Sequence, residues 1–184
     1  MSMTASAIQP RPHGRDEVVA AIQAAALELL ADRGPREVTV RDIAAAAGVN
    51  HALVHRHFGT KDELIRTVLR EESASIARAA SDRGRDTAGL LALLDEHPAY
   101  WRILARTVLD SPELLDGVDM PAADAFVQLV GGARRGASAR TNAALSGALV
   151  LGWIVFGEHL SRVVDVDIDG ADLAGAVARV VSAR

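Results

Sequence analysis

Residues 39–61 read TVRDIAAAAGVNHALVHRHFGTK. The pattern is two short helices joined by a tight turn, then the start of a third. Thr39 is a good N-cap, and Asp42 three residues on completes a capping-box-like pair. The alanine-rich run after it favours helix, and Gly48 supplies the left-handed residue that ends it. Asn50 is the next N-cap. On a helix over residues 51–58, side chains four apart share a face. Val54 and Phe58 form the apolar face. His51 and His55 form another, with Ala52 and Arg56 beside them. That second face offers hydrogen-bonding groups, a fixed positive charge and a small residue that permits close approach. It suits the floor of a DNA major groove, which admits an α-helix and presents base-edge donors and acceptors. Thr60 caps the next helix, with Glu63 as its capping-box partner. Lys61 lies in that helix's first turn, where free amides and the helix dipole favour an anion such as phosphate.

With these residues in place, the segment resembles the DNA-binding domain of the TetR family of bacterial transcriptional regulators. The matching signature runs from Thr39-Val40-Arg41-Asp42-Ile43-Ala44, through Ala47-Gly48-Val49-Asn50, to Phe58 and Lys61-Asp62-Glu63-Leu64. The resemblance covers roughly residues 16–76, with the helix-turn-helix at 39–58. The rest of the chain matches the family only in length and helical character. At the matching positions the family often contacts a base or phosphate through Arg41 and a phosphate through Thr39, whose plain N-capping role is compatible with that contact. Asn50, His51, Ala52 and Leu53 open the recognition helix, the part that reaches base edges. His55 and His57 stand where many members carry Tyr. An imidazole offers one N–H when neutral and two donors with a charge when protonated, so operator binding that weakens as pH rises between about 6 and 8 is one expectation. Arg56 is a candidate for a bidentate guanine contact, and equally for a phosphate clamp.

The chain has 184 residues, the size of one domain or two small ones. Half of it is apolar, enough for a substantial core. The absence of cysteine excludes disulfide scaffolds, zinc fingers and thiol catalysis. The net charge of −4 is unusual for a DNA binder. Residues 1–61 carry seven Arg or Lys against six Asp or Glu, and residues 62–184 carry thirteen against eighteen, so the basic surplus is slight and N-terminal. Affinity should therefore rest on a few well-placed phosphate contacts and on dimer formation. His51 and His55 have a metal-ligand spacing, but no third ligand supports them, and no metal or cofactor is expected. No Ser nucleophile has an evident base and no Gly-rich phosphate loop follows a strand, which disfavours an enzyme. No signal peptide is visible, and the apolar run 143–157 is short of the ~20 residues that cross a bilayer. A buried helix in a cytoplasmic, nucleoid-associated protein with no membrane partner is expected instead.

In order, residues 1–14 read as a disordered tail, whose Arg11 could brush DNA together with Arg15 or simply be solvated. Residues 15–62 read as the helix-turn-helix domain and 63–184 as a helical regulatory and dimerisation domain. Val18, Ile22, Ala25, Ala26 and Leu29 give a first helix its apolar face, and Gly34-Pro35 stops it. A fourth helix over 61–81 would join the reading head to the rest. Further helices are expected over 87–96, 98–109, 121–135, 138–164 and 171–183, with a short turn at 112–117. No period-two strand pattern appears, so the fold is all-α with about nine helices.

The family builds a ligand cavity from its middle helices. Tyr100, Trp101, Leu104, Met120, Phe126, Trp153 and Phe156 are candidates to line it, ordinary core packing being the plainer alternative. The family pairs subunits through its last two helices. Ala144, Gly147, Ala148, Leu151, Gly152 and Val155, with Leu173, Val177 and Val180, are candidates for that homodimer face. The implied function is a repressor released from a palindromic operator on double-stranded DNA by a small apolar effector. The alternative is a ligand-blind or protein-controlled regulator. A cavity near Trp101 and Trp153 favours the first.

Overall fold

The computed structural model describes residues 12–83, 93–94, 96–131, 137–166, 172–173, 175–176 and 179. They contain seven α-helices rather than about nine: α1 Arg15–Arg33, α2 Val40–Ala46, α3 His51–Phe58, α4 Lys61–Arg83, α5 Pro98–Asp110, α6 Pro121–Gly131 and α7 Ala137–Val164. A 3-10 turn, Pro112–Leu115, links α5 to α6. The expected helices over 87–96 and 171–183 fall for the most part outside the described residues, as do Val177, Val180 and Arg11. No strand occurs among the described residues.

The capping chemistry behaves as the residue types dictate. The Thr39 hydroxyl accepts from the Asp42 amide at 3.2 Å, and the Asp42 carboxylate accepts from the Thr39 amide at 2.9 Å. Gly48 has φ +67°. Its amide donates to the Ala45 carbonyl and that of Val49 to the Ala44 carbonyl, the pair of bonds that closes a Schellman turn. Asn50 Oδ1 accepts from the Ala52 amide at 2.9 Å. Glu63 and Thr60 repeat the reciprocal box at the start of α4, at 2.7 and 3.2 Å. Gly59 has φ +75°, a backbone conformation that favours glycine at the α3–α4 joint, and a Cβ there would displace the Glu63 carboxylate from its cap.

One core runs through α1 to α6. Ile22, Leu30, Ile43, Val54, Leu64 and Leu69 are buried with Leu93, Tyr100 and Ile103. The α1 helix does more than back α2 and α3, because it also packs along α5. Arg106 of α5 lies against Gly34, where a Cβ would stand 3.3 Å from its Cδ.

The long α7 corrects one expectation. Residues Arg140–Val164 are, by length and composition, apolar enough to cross a membrane, and only 22% of that stretch's most apolar window is buried. The count over 143–157 fell short because it stopped at the first charged residue, whereas the apolar face continues through Leu160, Val163 and Val164. The helix is therefore half-covered rather than buried.

Candidate DNA interface and cavity

The polar side of α3 stands in solvent. Asn50, His51, Ala52, His55 and Arg56 are exposed, while Val54 behind them is 1% exposed. Leu53 and His57 are half-buried, and with Gly14, Arg15, Val18 and Arg56 they line a groove between the start of α1 and α3. Arg41 projects, exposed, from the first turn of α2 beside this surface. Ten residues expected at DNA thus fall on neighbouring elements, but four of them, Thr39, Asn50, His55 and Lys61, already make hydrogen bonds within the chain.

Lys61 is engaged within the chain. Its Nζ donates to the carbonyls of Pro35 and Val38 at 2.9 and 3.2 Å, so two of its three N–H groups tie the start of α4 to the α1–α2 loop. Proximity in sequence to a helix N-terminus gave no hint of two carbonyls arriving from 23 and 26 residues upstream. The Thr39 hydroxyl also donates to Asp42 at 2.7 Å, which leaves that proton to the cap. His55 Nδ1 lies 2.9 Å from the Gly59 carbonyl. The ring caps its own helix through an Nδ1–H, which leaves Nε2 as its second polar atom. His51 and His55 stack edge to face, with ring centroids 6.5 Å apart. Asp42 and Glu63 are held below the usual carboxylate range, chiefly by the bonds from Thr39 and Thr60.

A second site lies between α5, α6 and α7. A cavity of about 360 Å³ is lined by Tyr100, Trp101, Leu104, Met120 and Phe126, as expected, with Leu94, Ala122, Ala123 and Val127. Its fourth wall is α7, through Arg140, Ala143, Ala144, Gly147, Val150 and Leu151. Trp153 and Phe156 do not line it. Phe156 is 54% exposed on the opposite side of α7, and Trp153 lies over Gly157. Ala144, Gly147 and Leu151, expected at a dimer face, instead face the cavity. A Cβ on Gly147 would stand 3.8 Å from the Phe126 ring. The small-residue stripe does permit close approach, but to α6 of the same chain. Leu173 is also buried within the subunit. Of the expected set, Ala144, Ala148 and Val155 are exposed and Gly152 is half-buried, and Leu145, Phe156, Leu160 and Val163 are exposed on the same helix.

Two side chains of α4, missed in the sequence, join the reading head to this site. Ser73, fully buried, accepts from the Ala122 amide at the start of α6 at 2.9 Å and shares a hydrogen bond with the Tyr100 hydroxyl. Burial pushes the Tyr100 phenol up, partly opposed by Ser73. Arg66 donates to the Leu114 and Glu113 carbonyls of the 3-10 turn at 3.1 and 3.3 Å. A lone serine in an apolar stripe and one arginine among many carry no such signal in sequence.

The model of bacterial regulatory proteins of the tetR family matches residues 22–68. The chain is 37% identical to the HTH-type transcriptional repressor Rv3405c of Mycobacterium tuberculosis, over 92% of each protein. The chain belongs to the TetR family. This TetR-family chain is accordingly a DNA-binding transcriptional regulator and not an enzyme. A TetR-family regulator from Streptomyces coelicolor has a similar fold, at TM-score 0.68 and 21% identity, over 93% of this chain and 81% of that one. So does the multidrug binding protein EbrR in complex with imidazole, at TM-score 0.63 and 19% identity, over 100% and 99%.

Proposed function

We propose that this regulator is a homodimeric repressor, released from a palindromic operator when a small apolar molecule fills the α5–α6–α7 cavity. The observation that carries the reading is α3, which buries Val54 and leaves Asn50, His51, Ala52, His55 and Arg56 bare on one side. Residues 15–62 form the reading unit and 63–184 the regulatory and pairing unit. Arg56 meets a base edge or phosphate, Arg41 and Thr39 approach the backbone, and Leu53 and His57 form the lip of the groove.

The cavity supports effector control over ligand-blind regulation. So does the structural similarity to EbrR, a multidrug binding protein. Ser73 and Arg66 give the effector a route, since both tie α4 to cavity-side elements. A coupling of ~1–3 kcal/mol between sites would change operator affinity severalfold to about a hundredfold. The outward face of α7 is the surface a second copy would cover in a cytoplasmic protein, and a two-fold dimer matches an inverted-repeat operator.

Selection from random DNA by the purified protein tests this. Enrichment of two inverted half-sites is expected. A single unrepeated motif, or no enrichment, would overturn the dimeric reading.

A further inference from the structure

We propose that the cavity is selective for an apolar monocarboxylate whose acid group pairs with Arg140. This rests on the effector reading above and names the ligand's chemistry. Three groups in the wall carry a polar atom on the side chain. Tyr100 gives its hydroxyl to the hydrogen bond with Ser73, and Trp101 Nε1 donates to the Leu93 carbonyl at 3.3 Å. That leaves Arg140 as the one charged side chain among the described lining residues. It stands on the same face of α7 as Ala143, Ala144 and Gly147, three, four and seven residues on, so it occupies one end of an otherwise apolar wall. No ion pair or hydrogen bond within the described residues ties up its guanidinium.

A planar guanidinium that borders an apolar chamber is complementary to a planar carboxylate, which it can hold through two parallel N–H···O bonds. A cationic ligand would be repelled there, and a neutral one would gain at most a single, weaker hydrogen bond from the arginine. Size follows from volume. At about 30 Å³ for each non-hydrogen atom, 360 Å³ holds about a dozen, at the small end of ligand sites. Decanoate is of that size. Tyr100 and Trp101 meet edge to face with centroids 4.8 Å apart, and present aromatic surface to its chain.

The test uses the full chain carrying Trp153→Phe, so that Trp101 is the single fluorescent reporter, with decanoate, decan-1-ol and decylammonium as probes. Decanoate should bind about fivefold or more tightly than decan-1-ol, and decylammonium weakest. Arg140→Gln should abolish that preference while decan-1-ol binding stays as it was, and Arg140→Lys should keep part of it. Calorimetry on the unsubstituted chain should give the same order. Equal affinity for all three probes would overturn the acid-group assignment and leave the cavity reading standing, as would a preference that survives Arg140→Gln. Failure of every probe to bind would overturn both.

Discussion

Lys61 ends on two carbonyl oxygens of the α1–α2 loop, and this decides what its removal does. Lys61→Ala should lower stability by about 1.5–3 kcal/mol, the range for hydrogen bonds to a charged group, and leave the salt slope of operator binding unchanged. Melting curves and a salt titration separate this from a phosphate role, which would flatten the slope by about 0.9 with no loss of stability. Arg56, by contrast, is exposed and open to DNA. Arg56→Ala should cost about 1–3 kcal/mol in operator affinity and relax selectivity at one position, measured against a panel of single-base operator variants. Uniform weakening across the panel would assign it to the phosphates. The two capping carboxylates make a pH prediction. Asp42 and Glu63 are depressed from 3.8 and 4.5 by the bonds they accept, so protonation is harder in the folded state than in the unfolded chain. Their contribution is complete above those ordinary values and is lost as pH falls through the lower folded ones. Asp42→Asn and Glu63→Gln should therefore be less stable than the parent at neutral pH. The gap should begin to narrow as pH falls past those ordinary values and close below the folded ones in acid-melting series.

At the level of elements, the caps and turns were legible because each depends on residues within five positions. Thr39 with Asp42, Gly48, Asn50, and Thr60 with Glu63 all act locally, and all stand where their types require. Face assignment on α3 also held, because burying Val54 settles which side is left over. The same reasoning misplaced half of α7. A helix with apolar residues almost all round does not declare which side meets its own chain. Gly147 and Leu151 went inward while Gly152 and Phe156 stayed out. Partners 48 or 49 residues apart, such as Arg66 with Leu114 and Ser73 with Ala122, left no local trace. Ser73 yields the prediction here. Ser73→Ala leaves the Ala122 amide and the Tyr100 hydroxyl without their shared partner. Effector-induced release of operator should become several-fold weaker, while operator affinity without effector changes little. Anisotropy titrations with and without effector measure both. An unchanged response would remove Ser73 from the coupling route.

For the whole molecule, the outward side of α7 is the part a single chain leaves unfinished. Leu145, Val155, Phe156, Leu160 and Val163 are each at least 40% exposed, a larger apolar display than scattered surface residues make. Gly152 lies among them, and a Cβ there would meet nothing within 4 Å of its own subunit. Gly152→Leu should thus be tolerated by the folded chain yet obstruct close approach of a second copy. Sedimentation equilibrium should show a monomer, with operator affinity falling alongside. A stable dimer in this variant would place the pairing surface elsewhere.

The contact between α1 and α5 bears on how new operator specificities are engineered. Since Gly34 and Arg106 lie together on that seam, a foreign reading head grafted at residue 60 would bring a mismatched first helix against the host's fifth. Exchanging only the solvent-facing positions of residues 50–57 keeps the seam native and is the sounder route to a retargeted chimera.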